Sequence, residues 1–193
     1  VPTVTYRHQA GLPKGLEPEE VRRILTSCDT ASYNGVRDLA ILTLLVRLGL
    51  RRCEVSRLGL DDIDWRAGTI CVHGKGNCLE RLPLPVDVGH YLAQYLRHAR
   101  PAKARGRTVF VRHFAPYNAL SASRVSTIVA DAARRAGVGR VHAHRLRHTA
   151  ATQLLRAGAS LPEIGQVLRH RRAHTTAIYA KVDHDTLRVI ARP

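Results

Sequence analysis

Residues 142–158 read HAHRLRHTAATQLLRAG, a helical pattern whose first seven positions carry three histidines and two arginines. His144 and Arg147 stand at i and i+3, so they share one helical face. That pairing suits a phosphate. An arginine fork clamps two non-bridging oxygens, while a histidine donates or takes up a proton near neutral pH. The same pair also occurs as a plain solvated surface pair, so by itself it decides little. His144 and His148 have the i, i+4 spacing of metal ligands. The zinc-protease pattern, however, needs Glu after the first His, where this chain has Arg145, and the neighbouring arginines repel a divalent cation. No metal and no cofactor are expected here. A second chemical signal is Lys75, in Gly74-Lys75-Gly76. The chain overwhelmingly uses arginine, yet places a lysine between two glycines; unlike arginine, lysine can release its proton and act as a general acid. The glycines would let such a turn approach a ligand closely. The rest of a nucleotide-binding Gly-rich fingerprint is missing.

The elements that must hold these groups follow from periodicity and breakers. EPEEVRRILTSC begins a helix with Pro18 in its first turn and acids facing the helix dipole. YNGVRDLAILTLLVRLG is a long buried helix stopped at Gly49, and its apolar run is too short and too interrupted, by Arg47, to span a bilayer. RRCEVSRLGL gives a short helix. Residues 61–85 alternate β-type runs with turns at Ala67-Gly68 and Gly74–Asn77, which predicts a three-stranded antiparallel meander. VDVGHYLAQYLRHA is helical, PAKARGR is a basic loop, and TVFV is a short strand. SASRVSTIVADAARRAG is a helix capped by Ser121 or Ser123. The 142–158 helix ends at Gly158, and LPEIGQVLRH, HTTAIYAKV and a tail follow. The fold class is α+β: mostly helical, with a small three-stranded antiparallel sheet.

Bulk properties point to a polyanionic partner. The 193 residues contain 31 Lys+Arg against 15 Asp+Glu, a formal charge of +16, and that excess is clustered rather than spread. Residues 97–112 carry six Lys/Arg and no acid, and residues 134–172 carry nine arginines with Glu163 as the lone acid. Nucleic acid ranks ahead of an acidic membrane because no lipid-facing amphipathic helix accompanies these blocks. Cys28, Cys53, Cys71 and Cys78 form no CxxC pair and read as reduced thiols of a cytoplasmic protein; a Cys71–Cys78 link would be out of place there.

Taken together, GLRRCEVSRL and HRLRHTAATQLLRAGASLPEIGQVLRHRRAHTTAIYAKV resemble the two arginine boxes of the tyrosine recombinases, or phage-type integrases, over about residues 12–190. The resemblance assigns Arg51 and Arg147 to the two catalytic arginines, His144 to the histidine of the second box and Lys75 to the lysine of the sheet turn. It assigns His170 to the later His or Trp, Tyr179 to the nucleophile, and Glu54 to the glutamate that supports the first arginine. One position departs from the pattern: the family usually has Gly before the later His, where this chain has Arg169.

The activity so implied is site-specific recombination through a 3′-phosphotyrosyl intermediate, with neither metal nor ATP. The implied partners are double-stranded recombination sites, bound by a homotetramer on DNA and a monomer without it. Residues 1–16, with Pro2, Gly11, Pro13 and Gly15, read as a linker remnant. Residues 17–193 read as the catalytic domain, separated from the N-terminal core-binding domain that family members usually carry. The absence of methionine agrees with a fragment, and weak, salt-sensitive DNA binding is expected of this chain alone. Two other readings compete. ATQLLRAGASLPEIGQVLRH also resembles a helix-turn-helix, as in a non-enzymatic DNA binder. A type IB topoisomerase would share the chemistry and relax DNA instead of exchanging strands.

Overall fold

The computed structural model describes residues 15–74 and 79–169. Its centre is α2 (Tyr33–Arg47), which is buried on every face from Val36 to Val46. A helix so buried needs cover on all sides, and its buried cation, Arg37, is paired with Asp38 at 2.7 Å. Here the cover comes from α1 (Pro18–Thr26), α3 (Arg52–Arg57), α4 (Val86–Gln94), α5 (Ala122–Arg135) and α6 (Ala143–Arg156), all of which pack on α2. Leu42, Leu44 and Leu45 of α2, Leu92 of α4, Ile128 of α5 and Leu146 of α6 are essentially inaccessible and join in one core. A smaller apolar cluster of Ala151, Ile164 and Leu168 binds α7 (Leu161–Val167) to α6.

Local chemistry sets the helix ends. Pro18 opens α1, where a missing N–H costs nothing, and the Glu20 carboxylate accepts the Glu17 N–H at 2.8 Å. The Ser32 hydroxyl accepts the Gly35 N–H at 3.0 Å and caps α2. For α5 the cap is Ser121, which accepts the Arg124 N–H at 3.2 Å; Ser123 lies inside the helix and hydrogen-bonds to the Ser121 hydroxyl.

The sheet is the expected meander: β1 (Ile63–Asp64), β2 (Thr69–His73) and β3 (Leu79–Pro83), antiparallel in that order. Ile70 pairs with Ile63 on one side and Leu82 on the other, and Val72 pairs with Glu80. Ile70 and Val72 are buried while their neighbours are more open, so one face of the sheet closes on the helical core.

Two elements differ from expectation. TVFV does not form a strand: Thr108 and Val111 make single isolated bridges, to Gly59 and Ala119. Its backbone is divided among several partners instead, with Val109 N–H bound to Leu58 O at 2.8 Å and Phe110 O accepting Leu120 N–H at 3.0 Å. The strip is buried from Val109 to Val111 but bends at Val109 and Phe110, so no neighbour runs alongside it for consecutive pairs. The helix expected over VDVGHYLAQYLRHA widens into a π-helical turn at Tyr95–Ala99, ending where the Arg100 N–H reaches Tyr95 O at 2.8 Å.

Gly49 joins α2 to α3 and explains how the chain turns there. Its φ is +56, and a Cβ would stand 2.6 Å from Leu168 Cδ2. Gly68 shares the left-handed conformation, φ +61, but has open space around it. Gly49→Ala should therefore lower unfolding free energy by about 2–3 kcal/mol, and Gly68→Ala by about 1 kcal/mol, measured by urea titration. Equal losses would mean that the Leu168 contact carries no cost.

Candidate active site

The first arginine sits just before a helix. Arg51 has extended backbone, φ −77 and ψ 149, and occupies the N-cap of α3. Glu54, three residues on, turns back: its Oε2 accepts the Arg51 N–H at 2.7 Å and its Oε1 accepts Arg51 Nη1–H at 2.7 Å. One carboxylate thus closes the helix end and holds the guanidinium that projects from it. Arg51 Nη2 also donates to the Arg169 carbonyl at 3.2 Å. The Arg51 side chain remains 38% exposed while that of Glu54 is 2% exposed, so the acid lies beneath and the cation faces outward.

Arg147 reaches the same place from α6. It is 3% exposed, and its Nη1 donates to the Gly49 carbonyl at 2.5 Å, two residues before Arg51. The left-handed turn at Gly49 therefore offers its oxygen to the second arginine while redirecting the chain toward the first. One turn earlier on α6, His144 is exposed and lies within the electrostatic reach of both arginines. Partial burial, then Arg147, then Arg51, lower its pKa below the usual histidine value. A lowered pKa keeps the imidazole neutral near pH 7, as a proton acceptor must be.

His148 stacks edge-on beneath His144, with ring centroids 4.3 Å apart at 78°. Burial, then His144 and Arg147, push its pKa down to about 4. The sequence marked the i, i+4 spacing of this pair but gave His148 no part in a site. Arg169 is the other residue that sequence reasoning passed over except as a departure. It adopts φ +55, is buried, and its Nη2 donates to Glu54 Oε2 at 2.7 Å. Burial pushes the Glu54 carboxyl up, but the Arg169 charge and the hydrogen bonds from Arg51 outweigh it and hold the pKa below the ordinary glutamate value.

Arg51, Glu54, His144 and Arg147 are therefore brought together. Lys75, His170 and Tyr179 lie outside the described residues. Among the described residues no group of three or more His, Cys, Asp or Glu is arranged to hold a metal ion, and no helix is long and apolar enough to cross a membrane. Cys28, Cys53 and Cys71 are free thiols.

A helical platform with a three-stranded antiparallel sheet at one side is a fold shared with solved recombinases. The crystal structure of XerH site-specific recombinase bound to a palindromic difH substrate, a post-cleavage complex, superimposes with TM-score 0.80 and 25% identity, over 93% of this chain and 53% of that one. The phage integrase family model matches residues 14–185, so the chain belongs to the phage integrase family. An integrase/recombinase-named protein of Sinorhizobium fredii (strain NBRC 101917 / NGR234), y4rA, is 46% identical over 196 residues. The tyrosine recombinase XerD of Listeria innocua is 35% identical over 183 residues, which is 92% of this chain. The chain spans 47% of the length of y4rA and 61% of that of XerD.

The two histidines give the fold a pH dependence of known sign. The folded pKa of His148, about 4, lies below the ordinary 6.5, so the unfolded chain takes up a proton more readily. The associated stability is complete above pH 6.5 and is lost as the pH falls from there toward about 4. His148→Gln should flatten this part of the stability–pH curve in chemical denaturation. Parallel curves for both proteins would contradict the assignment.

Proposed function

We propose that this chain is the catalytic part of a site-specific DNA recombinase that cuts and rejoins strands through a 3′-phosphotyrosyl intermediate. The observation that carries the reading is the junction of Arg51 and Arg147 at Gly49, with His144 beside them. A phosphodiester resists attack because its charge repels nucleophiles and its alkoxide leaves poorly. Two guanidinium groups fixed at one place offset the charge gathering on the phosphoryl oxygens in the transition state. They are held before substrate arrives, so little reorganisation is needed when it does.

Tyr179 is the nucleophile in this reading. Its oxygen bonds to phosphorus as the P–O5′ bond breaks, and His144 accepts the phenolic proton. Lys75 gives a proton to the departing O5′, and His170 adds a donor to the phosphoryl oxygens. The phosphotyrosyl ester conserves the energy of the cut bond, so attack by another strand's 5′-hydroxyl reverses the steps and reseals DNA without ATP. The likeness to a DNA-bound XerH supports DNA as substrate, as does the formal charge of +16. The whole protein is read as assembling into a tetramer on two recombination sites, with residues 1–16 as the connection to a DNA-clamping domain.

The test is covalent capture. Nicked duplexes with randomised cores, incubated with the protein and then SDS, should yield a protein–DNA adduct that persists in EDTA and disappears in Tyr179→Phe. Arg147→Ala should slow adduct formation by about 10²–10³-fold. DNA binding with no adduct at any sequence would favour a non-enzymatic binder. Relaxation of supercoils without junctions between duplexes would favour a topoisomerase.

A further inference from the structure

We propose that Arg169 is a positioning residue: its buried guanidinium fixes Arg51 in place through their shared partner, Glu54. This rests on the recombinase reading for its catalytic consequence, though not for its geometry.

The position is a costly one for an arginine. Its φ of +55 is a conformation in which glycine is at ease and a branched or long side chain is not. Its side chain is also 2% exposed, so a full positive charge has been taken out of water. Each of these features is unfavourable by itself. Together they make sense only if the guanidinium has work to do at that spot, and its contacts say what the work is.

Arg169 Nη2 donates to Glu54 Oε2 at 2.7 Å, on the same oxygen that receives the Arg51 N–H. Glu54 Oε1 is left to Arg51 Nη1, and the Arg169 carbonyl takes Arg51 Nη2 at 3.2 Å. Arg51 is thus gripped from two directions by one residue, directly through its carbonyl and indirectly through the acid that it helps to aim. Without Arg169, Glu54 would retain its two hydrogen bonds from Arg51 but lose the third, the one that ties the carboxylate to a segment outside α3. With Arg169, the carboxylate is clamped between two cations and presents Oε1 to Arg51 in a single orientation. Arg169 is itself anchored: Nη1 donates to Val167 O at 3.2 Å, and Nε lies 3.8 Å from Glu80 Oε2 on β3. That Nε is buried and has no hydrogen-bond acceptor among the described residues, so the approach of Glu80 is its electrostatic compensation. The arrangement runs from α7 through α3 to the sheet, with the exposed guanidinium of Arg51 at its end.

Arg169→Gly separates the two possible reasons for the residue. It relieves the backbone and removes the guanidinium, so a residue kept for its backbone alone would lose nothing. We expect the variant to fold, to bind duplex DNA as tightly as the parent because the lost charge was buried, and to form the phosphotyrosyl adduct about tenfold more slowly. Guanidinium ion at millimolar concentration should restore part of the rate by entering the vacated site, and sodium chloride at equal ionic strength should not. A parental adduct rate would overturn the proposal, as would a slow rate that guanidinium leaves unchanged. Should Arg169→Gly not fold, Arg169→Met keeps most of the bulk and deletes the charge together with its N–H donors. A slower adduct at unchanged affinity then supports the proposal, and a parental rate overturns it. If the parent protein forms no adduct, the recombinase reading fails separately. The guanidinium NMR signals of Arg51 then decide: motional averaging in Arg169→Met relative to the parent supports the clamp, and identical signals refute it.

Discussion

The buried carboxylate of Glu54 is the constraint on which the site depends. Like charges repel, and Arg51 and Arg169 could not be packed at one junction without a counter-charge inside the protein. A surface acid would be screened by water and free to turn. At 2% exposure, with both oxygens committed to hydrogen bonds, Glu54 is neither. The same carboxylate closes the N-terminal end of α3, so the direction of that helix and the direction of the first arginine are set by one group.

The second arginine obeys a different rule. Arg147 is anchored on a backbone carbonyl, that of Gly49. A carbonyl cannot change rotamer; its place is set by α2, whose core packing is continuous from Val36 to Val46. Rigid packing is thereby converted into the placement of a charge. The two arginines come from segments nearly a hundred residues apart, and the turn at Gly49 is where both are referenced. This is why the position suits glycine: an L-residue there would be strained, would meet Leu168 and would disturb the oxygen that Arg147 holds.

Much of this was legible in the sequence because it is local. Helix order, the meander at 61–85, Pro18 at a helix start and the stop at Gly49 follow from periodicity and breakers, and each reappears in the fold. The strand expected at 108–111 failed for a tertiary reason: β-type residues were present, but the chain offered no continuous partner. The π turn at Tyr95 has no sequence signal of its own. The Arg51–Glu54 pair could be read from i, i+3 spacing, and His144 with Arg147 likewise. The link from Glu54 to Arg169 spans 115 residues and could not be read that way. From sequence Arg169 was merely an unexpected residue before His170, and only its place against Glu54 gives it a meaning.

A helix that is covered on every side has a consequence for how the molecule comes into being. In chain order part of the cover of α2, α6, is made about a hundred residues after it, as the Arg147 to Gly49 bond shows by its sequence separation of 98. Until then the nascent chain carries an uncovered greasy rod, a surface suited to chaperone capture, and folding is closed by a late, long-range event. Arg51 and Arg147 meet only at that closure.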